Sequence, residues 1–342
     1  MQHSEERIIR DISDGVIVLS SKGEITVINR AAQRLLGLNG DYSGKTYAQI
    51  IFEDIEANDE FHQVLIDAAG AKSVIQRKTI PYTCKNGEKI CLEVTSSPIF
   101  DDEGHTQGNV LSFSDRTEEY TLQKKCESSS RLYVSFLCTL CIWNFITALW
   151  NYTGQPLSTS FMSKGMVFFV FVVVCLRFKW LGINIADTGI GFHHIKKAII
   201  TDSLITVVGL AIMIVIKLLL LKMGSDMFEE GAPLIVWSKY PFSEYVSYLI
   251  SVVLQEYIAR GIVHQSLKHI MPQKNINVTS IIVSSLIFGA LHIHMGIIYM
   301  TSAAVLLGAL GVLYNRQQST WGLCIPHYIL GMALGLLDFV AY

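Results

Sequence analysis

Residues 243–263 read SEYVSYLISVVLQEYIARGIV. The run is long and apolar enough to cross the roughly 30 Å hydrocarbon core of a bilayer as one helix. Inside it stand an acid and a base, Glu256 and Arg260. Charges at membrane depth are costly and each needs a reason. At i,i+4 the two share a helix face, acid N-terminal to base, the order in which such a pair attracts best. The stretch therefore reads as a helix of a membrane bundle. Arg260 is expected to form a structural ion pair with Glu256, and Gln255 and Glu256 are candidates for chemistry.

Apolar runs of spanning length lie on both sides of it. They cover about 132–150, 163–181 and 198–221 before it, and 278–295, 298–314 and 320–340 after it. Residues 132–342 are thus expected to form an all-α polytopic domain of about seven helices. Trp150, Trp180, Trp237 and Trp321 fall near the run ends, as interfacial aromatics do, and Lys217 can snorkel from the end of the third run. The chain has 342 residues, 51% apolar and 16% charged, but the average conceals a split. Residues 1–130 carry 14 Lys+Arg and 21 Asp+Glu, net −7, and the rest carry 13 and 8, net +5. This composition excludes a disordered chain. No basic tract or zinc-type cysteine cluster points to nucleic acid as a partner. The seven cysteines, an odd number, give no disulfide framework. Cys138 and Cys141 sit three apart in an apolar run and read as small hydrophobes. With the acidic N-terminal part placed inside, ten Lys/Arg fall on the inner side and three (Lys164, Lys222, Lys239) on the outer, so that part is expected in the cytoplasm. The charged N-terminus has no signal-peptide core.

The acidic part alternates like an antiparallel sheet. After a short amphipathic helix, strands are expected at 15–19 (GVIVL) and 24–28 (EITVI) around the turn Ser21-Lys22-Gly23. Asn29 then opens a helix ending near Gly37, and a second helix is expected over 59–69. Strands at 73–81 and 89–97 flank Lys85-Asn86-Gly87, and one at 109–113 follows the turn 101–104. An α+β domain, with helices on one face of a sheet, satisfies this order. The opening GVIVLSSKGEITVINRAAQRLLG and the closing Asp115-Arg116-Thr117, which looks like a D-x-T signature, resemble a PAS domain over residues 1–120. The resemblance implies a sensor of an unidentified small ligand, or a homodimer contact. His62 lies where some PAS proteins supply a haem ligand, but a lone histidine reads first as a solvated or capping residue. The helical middle lacks the cysteine of a flavin photosensor. Residues 121–131 are expected to form a linker helix.

Ionisable groups recur at intervals along the later runs: Glu256 and Arg260, His292 and His294, and His327. Gln255-Glu256-Tyr257-Ile258-Ala259-Arg260-Gly261 looks like E-E-x-x-x-R-G, Phe288-Gly289-Ala290-Leu291-His292 like F-x-x-x-H, and His327-Tyr328-Ile329-Leu330-Gly331 like H-x-x-x-N. In this order they resemble the CAAX-protease and bacteriocin-processing (CPBP) family over about 135–340. The resemblance implies an intramembrane endopeptidase. The first acid and the F-x-x-x-H histidine would activate a water, and the last histidine and the asparagine would stabilise the oxyanion. Two positions depart from the pattern: the first acid is Gln255 and the asparagine is Gly331. Losing an oxyanion donor costs roughly 10²–10³ in rate, and losing the base about 10²–10⁴. Glu256 cannot simply substitute, because one residue along a helix turns the side chain by about 100° and Arg260 is in reach.

The catalytic set is read as Gln255, Glu256, His292 and His327. His292 is assigned as general base, His327 as oxyanion donor, and Gln255 and Glu256 as water-orienting or structural groups. All four are expected around one hydrated chamber. Glu256, His292 and His327 have zinc-ligand chemistry, but the set is read without a metal. Asp187-Thr188-Gly189 and His193-His194 read as decoys. The expectation is a PAS-regulated endopeptidase acting on a membrane-associated or lipidated peptide in the cell membrane. The rival is a catalytically inactive receptor or scaffold signalling through the PAS domain.

Overall fold

The computed structural model describes residues 12–70, 75–181, 195–229, 231–271 and 275–339. Two compact units divide at Gln123/Lys124. The expected N-terminal helix, Asp187-Thr188-Gly189 and His193-His194 lie outside the described residues.

The first unit is a five-stranded antiparallel sheet in the order β2-β1-β5-β4-β3. Its strands are β1 (Gly15–Ser20), β2 (Ile25–Ile28), β3 (Ile75–Thr83), β4 (Lys89–Phe100) and β5 (Thr106–Asp115). Helices α1 (Arg30–Leu36), α2 (Tyr47–Glu53) and α3 (Asp59–Ala69) contribute to one core. Alternation along the strands sends Ile17, Leu19, Ile90, Leu92, Val94, Leu111 and Phe113 inward, where they meet Leu36, Ile50, Phe61 and Leu65 of the helices. The β1–β2 turn needs the positive φ of Gly23. Asn29 starts α1 as expected. Its Oδ1 accepts from Ala32 N at 2.8 Å and from Val16 N at 2.9 Å, so one side chain caps the helix and ties it to β1. The D-x-T signature has a mechanical role. Asp115 Oδ1 accepts from Thr117 N at 2.9 Å, and Thr117 Oγ1 accepts from Cys91 N at 2.8 Å, which pins the end of β5 to β4.

His62 is not a solvated residue. It is nearly buried on α3, with Nε2 3.0 Å from Asp54 Oδ2. Asp54 also accepts from the Tyr82 hydroxyl at 2.9 Å and from Asn58 Nδ2 at 3.0 Å. Burial and the Asp54 charge push the Tyr82 phenol well above its ordinary pKa.

The second unit is all helical. Its helices are α4 (Thr117–Tyr152), α5 (Thr159–Leu181), α6 (Ile195–Lys222), α7 (Phe242–Glu256), α8 (Gln265–Ile270), α9 (Ile276–Ala290), α10 (Ile297–Gln317) and α11 (Thr320–Leu336). A π-helical segment, Tyr257–His264, joins α7 to α8. The expected linker over 121–131 is not a separate element; it and the first expected span are one helix, α4. The seven expected runs fall largely on helices, and among the described residues five helical stretches are long and apolar enough to cross a membrane. Ile276–Leu291 and Thr320–Leu336 are shorter. The first of these is short because the chain breaks after α9, through a turn ending at Gly296, whose φ of +98° suits glycine alone.

Leu132, Phe136 and Leu140 of α4, Met166, Val170 and Val174 of α5, and Ile258, Ile262 and Leu267 share one core. Small residues set the approach of α6 to α11, where Gly209 faces Leu330 and Gly322 faces Ala198. Large apolar side chains along α6, such as Ile200, Leu204 and Val207, remain uncovered, as lipid-facing residues do. Lys217 does not snorkel. It is fully buried, its Nζ donates to the Pro233 carbonyl at 2.8 Å, and it sits over the Phe228 ring.

Candidate active site

Helix α7 carries Glu244, Tyr248, Ser251 and Gln255 at steps of four, three and four. That spacing puts them on one face, a polar stripe about 17 Å long. The stripe is one wall of a cavity of about 80 Å³. Lys164, His292, Tyr299 and Gly331 complete it from other elements. A water needs roughly 10–15 Å³ of such space and several polar partners, so this cavity can hold a few. Near the start of the stripe, Lys164 Nζ lies 2.6 Å from Glu244 Oε2. At its far end, Gln255 Oε1 is buried and accepts no hydrogen bond.

Gln255 and His292 also line a second, smaller chamber of about 30 Å³. That one is almost wholly apolar, walled by Phe136, Leu140, Met166, Val170, Ile258 and Phe288 among others. The pair thus stands between a polar and an apolar space.

His292 follows α9 in the broken segment, not inside a continuous span. At 1.5 Å per residue the 15 residues of α9 rise about 22 Å, too little to cross a core of about 30 Å. Irregular backbone at membrane depth is tolerated where it lines a cavity, and His292 and Met295 both do so. The imidazole is oriented by Phe288 four residues earlier, whose carbonyl accepts from Nδ1 at 2.8 Å. A carbonyl can only accept, so Nδ1 carries a proton, and in the neutral form of the ring the lone pair is on Nε2.

Glu256 faces the other way. It is fully buried and both oxygens are engaged, Oε2 by Arg260 Nε at 3.1 Å and Oε1 by His327 Nδ1 at 2.7 Å. Arg260 is also fully buried, and its Nη2 donates to the Leu307 carbonyl at 2.9 Å. Gly311 leaves room for the guanidinium, since a Cβ there would lie 3.1 Å from Nη1. Arg260 lies within the π-helical segment that starts directly after Glu256; such segments are frequent at functional sites. His327 follows Pro326 on α11 and is 4% exposed. Donating Nδ1–H to Glu256 leaves Nε2 as its second contact atom, a donor when the ring is imidazolium.

The four residues expected around one chamber therefore divide into two pairs. Gln255 and His292 line the polar cavity; Glu256 and His327 form a buried network with Arg260 and are not among its walls. The Phe288 ring touches both histidines, with its centroid 5.0 Å from that of His292 and 5.9 Å from that of His327. Gly331 is one turn beyond His327 on α11, and it does reach the cavity. Among the described residues, no three His, Cys, Asp or Glu side chains are grouped to hold a metal ion. The network puts Glu256 and His327 together, but His292 lies on the cavity wall. The 244-248-251-255 stripe is a helical period carried by the sequence that charge alone does not reveal, since Tyr248, Ser251 and Gln255 are uncharged.

Two family models match the chain. The PAS fold model matches residues 6–116, and the Type II CAAX prenyl endopeptidase Rce1-like model matches residues 238–332. The second match takes in Gln255, Glu256, His292, His327 and Gly331, and leaves α4–α6 outside. The curated signal transduction histidine-protein kinase AtoS of Escherichia coli (strain K12) is 28% identical over 128 residues, 36% of this chain. The match spans 20% of that relative's length. Among solved structures, the PAS domain of a Colwellia psychrerythraea protein is 17% identical over 34% of this chain and 98% of its own, with a TM-score of 0.28. The PAS domain of Bordetella pertussis BvgS is 21% identical over 36% of this chain and 92% of its own, with a TM-score of 0.30. The chain joins a PAS domain to an Rce1-like CAAX prenyl endopeptidase domain, and it is a multi-pass membrane protein.

Proposed function

We propose that the helical unit is an intramembrane endopeptidase regulated by its PAS domain, and that it cleaves a membrane-associated peptide. The observation that carries this reading is Gln255 Oε1, a buried acceptor with no protein partner, on the cavity wall shared with His292. A water between them donates one O–H to Gln255 and the other to His292 Nε2. As the oxygen attacks the scissile carbonyl, His292 takes the proton and later delivers it to the leaving amine. For His327, held by Glu256 beside the Phe288 ring, to donate Nε2–H to the developing oxyanion, the substrate carbonyl must reach past the cavity wall and the ring must carry both protons. The apolar chamber beside the pair, about 30 Å³, has room for no more than a small apolar group of the substrate. An amide in place of the family's carboxylate leaves His292 as the base and makes the reaction slow by roughly 10²–10⁴. The PAS domain faces the cytoplasm, as the lysine and arginine distribution indicates, and serves as input or dimer contact.

The test is cleavage of a library of membrane-tethered reporter peptides by the full chain in proteoliposomes. His292→Ala and His327→Ala are expected to abolish cleavage with the fold intact, and Gln255→Glu to raise it. Gln255 and Gly331 favour one other reading, a receptor that keeps the cavity without the chemistry. That reading wins if the wild type cleaves nothing and Gln255→Glu creates cleavage.

A further inference from the structure

Gly331 stands where the resembling family carries the second oxyanion donor, and its surroundings are not empty. A Cβ built on residue 331 would overlap the Tyr248 hydroxyl outright and meet Tyr248 Cζ at 3.0 Å. The phenol therefore lies inside the volume that an asparagine side chain at 331 would fill. Tyr248 is on the polar stripe of α7, and it lines the same cavity as Gln255, His292 and Gly331. Its ring is held in place. It stacks at 5.8 Å and 30° on Tyr328, the residue after His327, and the Tyr328 hydroxyl donates to the Tyr245 carbonyl at 3.3 Å. The two tyrosines thus tie α7 to α11 at the level of His327 and Gly331.

We propose that Tyr248 is a catalytic residue of this site, its hydroxyl supplying from α7 the oxyanion hydrogen bond that residue 331 does not supply from α11. The inference rests on the hydrolase reading above and names one of its donors. A tyrosine O–H donates well to a developing oxyanion without giving up its proton, and tyrosine is among the side chains that build such sites. Glycine at 331 is then a requirement, because any side chain there displaces the phenol. A space-filling tyrosine would predict the opposite for Tyr248→Phe, which keeps the ring and removes only the hydroxyl.

The test uses the full chain in proteoliposomes with a membrane-tethered reporter and a phosphinic isostere of its peptide bond, which mimics the tetrahedral anion. Tyr248→Phe is expected to lower kcat by roughly 10²–10³ with KM changed only a few-fold. It should weaken phosphinate binding in parallel and leave binding of the uncleaved amide unchanged. Gly331→Ala removes no polar group, yet it is expected to lower kcat similarly by pushing the hydroxyl out of place. Tyr248→Ala combined with Gly331→Asn should recover at least tenfold over Tyr248→Ala alone. A wild type that prefers the phosphinate, with a Tyr248→Phe variant that prefers it equally, overturns the role of Tyr248 and leaves the hydrolase reading standing. A wild type that neither cleaves nor prefers the phosphinate overturns both.

Discussion

Removing the Arg260 guanidinium tests whether the buried network holds the helical unit together. Glu256 and Arg260 are both fully buried, so neither has water to fall back on. In the Arg260→Met variant the Glu256 carboxylate keeps one partner, His327, and loses the other. Breaking one side of a buried ion pair costs about 3–5 kcal/mol, because the remaining charge is uncompensated. For a unit of this size each kcal/mol moves the unfolding midpoint by about 2–4 °C, so a fall on the order of 10 °C is expected. The Glu256→Gln/Arg260→Met double variant has no charge left to strand. Its Gln Oε1 can still accept from His327 Nδ1, and Met fills much of the arginine's stem volume. It is expected to regain most of the loss, since replacing a whole buried pair with neutral groups is often nearly neutral. The assay is thermal unfolding in detergent, followed by helical circular dichroism, of wild type, both single variants and the double. A single variant within about 2 °C of wild type, or a double no better than Arg260→Met, would refute the reasoning.

Two further outcomes follow from local geometry. Asn29→Ala removes the cap of α1 together with the tie to Val16; a loss of about 1–2 kcal/mol is expected in a denaturant titration of the full chain, and a value near zero would show that the tie is idle. Gly296 sits at φ +98° and ψ 165°, a region nearly closed to other residues. Gly296→Ala should cost about 1–3 kcal/mol and, by shifting the segment that carries His292, lower cleavage more than it lowers the unfolding midpoint.

What the sequence made legible was the part governed by local rules. Strand alternation and turn residues such as Lys85-Asn86-Gly87 placed the strands of the sheet, because a two-residue period and a positive-φ glycine act within a few residues. Hydropathy placed the seven longer helices of the second unit, α4–α7 and α9–α11, for the same reason, but not the short α8. The boundary at 296–297 was legible, but the early end of α9 at Ala290 was hidden, because Leu291, Ile293 and Met295 keep the composition apolar beyond it. His62 looked like a surface residue because Asp54, its partner, is fixed by packing of α3 against Tyr82 and not by spacing. Tyr248 was invisible for a stronger reason. Nothing in its own neighbourhood distinguishes it from any other tyrosine in an apolar helix. It gains meaning only from the missing side chain on α11 that it overlaps.

The same geometry explains why adjacent residues of one motif serve opposite sides of α7. A turn of about 100° per residue sends Gln255 to the cavity and Glu256 to the packed interior. Among the described residues the guanidinium buried in that interior is Arg260, and Glu256 takes its Nε. The amide at 255 keeps an acceptor on the cavity wall, but it cannot take a proton. Proton acceptance then falls to His292, whose Nδ1 is already committed to the Phe288 carbonyl and whose Nε2 is therefore the basic atom. The departure at 255 and the backbone lock on His292 are parts of one arrangement. Releasing that lock, by moving the Phe288 carbonyl or lengthening the broken segment, should harm catalysis more than any change at Glu256 that preserves its bond to His327.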